Sequence, residues 1–212
     1  IAAGGRATFV GGRISSPLSA AVQSEGEVLL RDTIVGPSAN VGVLSLGPAT
    51  LERVWLTGNA GGGAALMGTA TLDNVVVTHN GSITATVGGL DLQGTATSRH
   101  ITVAYNVNDD AIASGMSCQS AATTHASLVW GNEPSNASSV EAQCTLTDSA
   151  TDVAGLDPSN TEADPFVDHR GHIGVGSSCI DHVTSSSVDV DIDGDARPQG
   201  GAYDCGADEF RP

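Results

Sequence analysis

The chain has 212 residues and a formal net charge of −16, and all eight of its basic residues are arginine. Such an acidic surface repels nucleic acid and anionic lipid, because binding to either depends largely on basic groups that neutralise phosphates. No apolar stretch of about 18 residues occurs, so we expect no membrane-spanning helix in this segment.

The composition favours stacked strands. Hydrophobic residues make up 40% of the chain but aromatic residues only 3%. The interior must therefore be filled by Val, Leu, Ile and Ala, and β-branched side chains pack well on strands. The 27 glycines, together with many Ser, Thr, Asn and Asp residues, supply turns at short intervals.

A ten-residue phrase that begins with Thr and ends with Asn occurs four times, and its Asn residues are 21, 26 and 26 residues apart. The four copies cover residues 50–59, 71–80, 97–106 and 123–132. Leu30 lies 21 residues before Leu51, which predicts a weaker earlier unit after an irregular or truncated N-terminal part. Self-similarity at such a period is typical of a repeat array.

Each phrase predicts two short strand segments with a bend between them. Val54 and Leu56 alternate with polar or outward positions, as do Val75 and Val77 in the next copy. Polar residues such as Asn74 then fall between two short strands, where a bend is expected. A variable segment and another short strand follow each Asn. A unit of this length with short strands and no helix signal predicts an all-β solenoid of parallel β-helix coils.

The predicted coil register has a testable chemical consequence. Cys118 and Cys144 both lie 12 residues after an Asn of the phrase, and they are 26 residues apart. Neighbouring strands are about 4.8 Å apart, within the Cα separation that a disulfide allows. We expect these cysteines to pair, the alternative being two stacked buried thiols. Cys179 and Cys205 are then expected to pair within the terminal module, which implies an oxidising compartment.

The same register places Glu52, Asp73, Arg99 and His125 in one column. Asp73 and Arg99 carry opposite charges and should be neighbours. Their pairing would stabilise the surface by a few tenths of a kcal/mol at most.

The repeat ends near Ala150. Three further phrases cover residues 163–168, 176–181 and 191–210, and the last contains Asp-Ile-Asp-Gly-Asp-Ala-Arg-Pro. An array needs a closing piece, because its last coil exposes apolar interior and open strand edges. We therefore divide the chain into coils over residues 1–150 and a C-terminal cap module over residues 151–212.

These phrases resemble the C-terminal part of bacterial right-handed parallel β-helix surface proteins, including choice-of-anchor Q domain proteins. The coil phrases are similar to that family too, although they are less specific. The resemblance implies a right-handed β-helix that is secreted or exposed on a cell surface. It supplies no catalytic residues.

The alternating carboxylates Asp189, Asp191, Asp193 and Asp195 resemble the first half of a calcium loop. Closely spaced oxygen ligands suit Ca²⁺, but the Glu that an EF-hand needs at position twelve is absent. A cap held together by hydrogen bonds of the Asp residues and Arg197 is the favoured alternative. Ca²⁺ is thus the one cofactor that the sequence suggests.

Asp109 and Asp110 resemble the paired Asp of polygalacturonases, which are β-helical hydrolases. Two carboxylates beside a glycosidic bond make chemical sense. However, adjacent strand residues point in opposite directions, and Arg170-Gly171-His172 is the only related phrase. The favoured interpretation is that Asp109 and Asp110 belong to an acidic loop exposed to solvent. The six His are scattered and predict no metal site.

The sequence as a whole favours a non-enzymatic surface module with a structural, adhesive or glycan-binding role. Partners would be glycans or surface proteins. Trp55, Tyr105 and Trp130 are the outward aromatic candidates for sugar contacts. A polysaccharide-active enzyme with a groove along a coil face and a calcium-dependent interaction module are the alternatives.

Overall fold

The structure is a computed structural model that describes residues 5–85, 88–108, 113–133, 139–141 and 143–211. Within these residues the chain is all-β and contains no helix. The strands are β1 (Arg6–Val10), β2 (Arg13–Ser16), β3 (Val22–Ser24), β4 (Glu27–Ser38), β5 (Val43–Ser45), β6 (Ala49–Thr57), β7 (Ala64–Leu66), β8 (Ala70–Thr78), β9 (Leu90–Leu92), β10 (Ala96–Arg99), β11 (Thr102–Ala104), β12 (Met116–Cys118), β13 (Ala122–His125), β14 (Leu128–Trp130), β15 (Thr145–Thr147) and β16 (Ala150–Thr151).

The strands form two sheets, and all strand pairs within them are parallel. The larger sheet has the order β1-β4-β6-β8-β10-β13-β15, with β2, β11, β14 and β16 paired beside this path, and the smaller has the order β12-β9-β7-β5-β3. From β3 to β9 the chain visits the two sheets alternately. Parallel neighbouring strands need crossover connections, and here each crossover includes a strand of the other sheet. This arrangement is consistent with a β-solenoid.

The main core takes aliphatic side chains from both sheets. Leu30, Leu51 and Leu72 are paired in register on β4, β6 and β8, and all three are fully buried. The pleat sends every second side chain of a strand to one face, so Val54 and Leu56 of β6 are buried as well. No Phe, Tyr or Trp is among the largest fully buried side chains of the described residues, as the composition predicts.

A left-handed residue lies within each of the three long strands of the larger sheet. Asp32, Arg53 and Asn74 have φ values of 51°, 50° and 52° within β4, β6 and β8. Asn and Asp tolerate this conformation better than most residues. His100, Ala126 and Asp148 adopt it where the later strands divide into two, with φ values of 49°, 55° and 49°. The bend lies where the sequence predicts it, but β6 and β8 continue through it as single strands instead of two short ones, and at Ala126 the position is not polar.

A ladder of asparagines lines the next corner. The Nδ2 groups of Asn59, Asn80 and Asn106 donate to the Oδ1 atoms of Asn80, Asn106 and Asn132 at 2.8, 3.0 and 2.9 Å. Each of these acceptors also receives the preceding Asn backbone N–H, and Asn80 Nδ2 donates to Leu56 O at 2.8 Å. All four residues are buried. The recurring Asn is therefore required to satisfy backbone groups that no water reaches.

Both disulfides that the sequence predicts are present. Cys118 and Cys144 are bonded across the end of the smaller sheet with a Cα–Cα distance of 5.2 Å, and Cys179 and Cys205 are bonded with a distance of 4.7 Å. Disulfides form and persist in oxidising compartments, so the bonds are compatible with an extracytoplasmic protein. The expected ion pair between Arg99 and Asp73 is also formed, at 2.7 Å.

Removing the first disulfide gives the first prediction. The double variant Cys118→Ala/Cys144→Ala is expected to lose about 3 kcal/mol of unfolding free energy, because the bond closes a 26-residue loop that restricts the unfolded chain. Guanidinium unfolding followed by circular dichroism measures the loss. Equal midpoints and slopes for the oxidised protein and the variant would contradict it.

The residues of the predicted cap module make contacts with two different parts of the coils. Val153 and Leu156 follow the last strand and pack against the main core. Residues 163–211 lie instead along the outer face of the larger sheet, where Ala207 N donates to Thr102 Oγ1 and Gly206 N donates to Ala126 O, both at 2.9 Å. We call residues 163–211 the C-terminal segment. Its position is explained by apolar side chains on that outer face, which it covers.

The described part of the chain contains no helix with the length and apolar character needed to cross a bilayer.

Candidate functional site

The C-terminal segment covers only part of the outer face, and a groove remains beside it. One outward row of side chains crosses β4, β6, β8 and β11. Its successive members are Ile34, Trp55, Val76 and Thr102. The segment packs Ile192 and Ala207 against Val76. Val76 is fully buried as a result, whereas Ile34 and Trp55 are only partly buried.

Two glycines allow the segment to approach the sheet closely. A Cβ on Gly171 would lie 2.7 Å from Val76 Cγ1, and a Cβ on Gly206 would lie 3.0 Å from Thr102 Oγ1. Both residues also have positive φ, at 92° and 98°, a region that favours glycine. The edge of the covered area, and with it the groove beside Trp55, therefore depends on these contacts.

The groove consists of two cavities that share Trp55, and we call it the Trp55 groove. The first has a volume of about 320 Å³ and the second about 250 Å³. The first is lined by Arg13, Ile34, Trp55, Thr57, Thr78, His169, Arg170 and His172. The second is lined by Asp32, Arg53, Trp55, Ile192, Asp193 and Gly194.

Trp55 reaches this surface because of its place in β6. Its neighbours Val54 and Leu56 point into the core, so the pleat turns the indole outward. The ring packs partly against the small cluster of Val76, Ile192 and Ala207. An indole that is held on one side and open on the other can offer an apolar face to a ligand.

The other two predicted aromatic contacts lie under the C-terminal segment. Tyr105 donates its hydroxyl to Val167 O at 2.6 Å and packs against the His79 and His169 rings. Trp130 is half-buried against the cluster that contains the Cys179 side chain. Neither residue lines the Trp55 groove, because their strands are covered whereas β4 and β6 are open.

Imidazoles connect the segment to the sheet beside the groove. His79 Nε2 and His169 Nδ1 share a hydrogen bond of 3.1 Å. Burial lowers the pKa of His79, and the neighbouring His169 lowers it further. Burial, with a smaller effect of the Asp168 and Asp164 charges, raises the pKa of Tyr105. The hydrogen bond between His79 and His169 ties the loop that carries Arg170 to the sheet.

Three of the four aspartates predicted as calcium ligands have side-chain partners within the C-terminal segment. Asp191 is fully buried, and its Oδ1 accepts the backbone N–H groups of Asp193 and Asp195 at 2.9 and 2.7 Å. Asp193 Oδ2 contacts His172 Nε2 at 3.0 Å, and Asp195 pairs with Arg211. Asp189 is exposed. The carboxylates of Asp191, Asp193 and Asp195 thus take part in turns and ion pairs of the C-terminal segment, and a calcium site at this run stays a prediction.

One set of side chains has metal-ligand geometry among the described residues. Ligand atoms of His172, Asp193 and Asp208 lie within 4.8 Å of one another. Asp208 Oδ2 also accepts the backbone N–H of Ile173 at 2.9 Å. Burial raises the pKa of Asp208, while the backbone bond and His172 oppose the shift. The spacing of the His residues does not predict this set, because Asp193 and Asp208 come from a separate phrase.

A buried ion pair anchors the C-terminal segment. Arg197 and Glu209 are joined at 2.8 Å, and neither side chain is exposed to solvent. Arg197 also donates to the carbonyls of Gly206 and Asp204 at 2.9 and 3.3 Å. Burial lowers the pKa of Arg197 against the raising effect of Glu209, and burial raises the pKa of Asp204 to about 6. The position of the groove wall depends on this network.

The suggested catalytic pair, Asp109 and Asp110, lies outside the described residues. The residues that line the first cavity include no Asp or Glu. Sequence reasoning did not identify Arg13. It considered Arg170 and His172 in relation to hydrolases, and His169 and His172 only among the scattered histidines that predict no metal site. The outward row that places Arg13 beside Ile34 is the signal that could have found Arg13.

Comparison of the chain with protein-family models, with curated proteins and with solved structures gives no match.

Proposed function

We propose that this chain is an extracytoplasmic right-handed parallel β-helix module that binds a glycan in the Trp55 groove without chemically changing it. The parallel sheets and the two disulfides support the architecture and the compartment. The observation that carries the binding role is the half-open indole of Trp55 between two cavities. Such a surface suits the apolar face of a sugar ring, while polar groups at the rim fix its orientation.

A binding role is favoured over hydrolysis by the chemistry of the first cavity. Most glycosidases use two carboxylates about 5 to 10 Å apart beside the scissile bond. The lining of this cavity offers arginine, histidine and threonine instead. The carboxylates of the second cavity are engaged, since Asp32 bonds to Arg53 at 2.6 Å and Asp193 bonds to His172 at 3.0 Å.

The Trp55→Ala variant tests the proposal. Affinity electrophoresis against a panel of neutral and acidic polysaccharides should find a ligand that the wild-type chain binds and that the variant binds about tenfold or more weakly. The loss follows from the apolar contact that the indole provides. Phe166→Ala is the matched control, because Phe166 is 54% exposed and lines neither cavity.

Two results would count against this function. If no polysaccharide retards the wild-type chain, or if the Trp55→Ala and Phe166→Ala variants bind equally well, the groove is not a glycan site. Release of reducing ends from any polysaccharide in the panel would show that the module is an enzyme.

A further inference from the structure

The two arginines of the first cavity differ from the others in having no acidic partner. Six arginines of the chain are paired with Asp or Glu in the structure: Arg6, Arg31, Arg53, Arg99, Arg197 and Arg211. Arg13 and Arg170 form no ion pair with any described residue, and both line the first cavity. In a chain with 24 acidic residues, these two guanidinium groups without a described acidic partner thus line the same cavity.

Arg13 belongs to the outward row of Trp55. It is paired with Ile34 across β2 and β4, and Ile34 is paired with Trp55 across β4 and β6. Two strand spacings, or about 10 Å, therefore separate the backbone of Arg13 from that of Trp55. Arg13 donates one hydrogen bond to Gly36 O at 2.8 Å. This bond orients the guanidinium and leaves most of its five donors available.

Arg170 approaches from the opposite wall. It lies in the loop that His169 ties to His79 and that His172 ties to Asp193. Asp168, the closest acidic residue in the sequence of this loop, accepts the backbone N–H groups of Arg170 and His172 at 2.7 and 3.0 Å. The nearby carboxylates are thus engaged with other groups, and the Arg170 side chain remains exposed.

We infer that the Trp55 groove is selective for acidic polysaccharides, whose carboxylate or sulfate groups bind Arg13 and Arg170 while a sugar ring packs on Trp55. This inference rests on the proposed function and specifies its ligand class. Guanidinium groups bind carboxylate and sulfate oxygens through paired, charge-assisted hydrogen bonds. An apolar platform between two such groups fits a chain of sugar rings that carries negative charge at intervals.

The test compares polymers that differ in charge but share a backbone. Polygalacturonate is measured against its fully methyl-esterified form, and dextran sulfate against dextran, by isothermal titration calorimetry. We expect the wild-type chain to bind at least one acidic polymer about tenfold or more tightly than its neutral counterpart. The two pairs distinguish a carboxylate ligand from a sulfate ligand.

Arginine variants then locate the selectivity. Arg13→Gln and Arg170→Gln should each weaken binding of the acidic polymer about tenfold, with little effect on the neutral one. Arg6→Gln is the control, because Arg6 is exposed on β1 and does not line the groove. Arg170→Lys retains the charge and should restore part of the affinity, and unchanged thermal unfolding establishes that the variants are folded.

The outcomes separate this inference from the proposed function. Equal affinity for charged and neutral polymers, with an effect of Trp55→Ala but none of the arginine variants, would overturn the selectivity and leave glycan binding intact. A preference for acidic polymer that the arginine variants do not reduce would also overturn it. No binding of any polymer would overturn both.

Discussion

The Asn80→Ala variant is expected to lose about 4 kcal/mol of unfolding free energy, the effect of removing one step from a buried ladder. Asn80 Nδ2 donates to Leu56 O and to Asn106 Oδ1, and its Oδ1 accepts two N–H groups of Asn59. Alanine leaves several of these groups without a partner in a region that water does not reach. Each unsatisfied buried group costs about 1–3 kcal/mol.

The loss is measured by urea unfolding monitored by circular dichroism, with Asn40→Ala as the matched control. Asn40 is exposed, and its side chain accepts one hydrogen bond, from Val41 N at 2.8 Å. Its replacement should cost less than about 1 kcal/mol. If the two variants were equally stable, the Asn80 side chain would contribute no more than the single exposed hydrogen bond of Asn40, which would contradict the prediction.

The Glu209→Gln variant should be destabilised by about 4 kcal/mol, because it leaves the buried guanidinium of Arg197 without its counter-ion. Both side chains are inaccessible to solvent, and breaking such a pair from one side costs about 3–5 kcal/mol. Glutamine keeps the size of glutamate and one of its two acceptor oxygens, both of which accept N–H groups in the structure. The expected loss is therefore one of charge and not of volume.

Two further variants establish the cause of this loss. Glu52→Gln weakens the contacts of Glu52 with Arg31 and Arg53, which have the same type of partners but are partly exposed, and should cost less than about 1 kcal/mol. The double variant Arg197→Met/Glu209→Gln removes the unpaired charge and should recover part of the stability. Thermal unfolding measures all three, and a Glu209→Gln loss no larger than that of Glu52→Gln would contradict the argument.

Most of the strand architecture was predictable because the same pattern of apolar and polar residues recurs every 21 to 26 residues. Leu51 and Leu72 predict a register, and the structure pairs these two residues. The same step predicted the Cys118–Cys144 bond and the Arg99–Asp73 ion pair. Local alternation and equal spacing suffice for such contacts, since each involves only neighbouring strands.

The four alternating aspartates show what a local sequence pattern leaves undecided. Four alternating aspartates in sequence look like converging ligands, but a loop can turn the same carboxylates toward its own backbone. Asp191 is used in this way, and both of its oxygens accept backbone N–H groups. The set that does converge joins Asp193 to His172 and Asp208 from different parts of the C-terminal segment.

The sequence by itself determined the parallel pairing of strands, the inward and outward faces, the bends and the disulfides, because these depend on residues one step apart. Only the tertiary structure decided which outward residues form a site. Trp55 and Trp130 both alternate with inward residues but lie in different outward rows, and the C-terminal segment covers the row of Trp130 and stops beside Trp55. That boundary is set by the contacts of Gly171 and Gly206 with the sheet and by the buried Arg197–Glu209 pair. It brings Arg13 and Arg170, which are remote in sequence, to the two sides of one cavity.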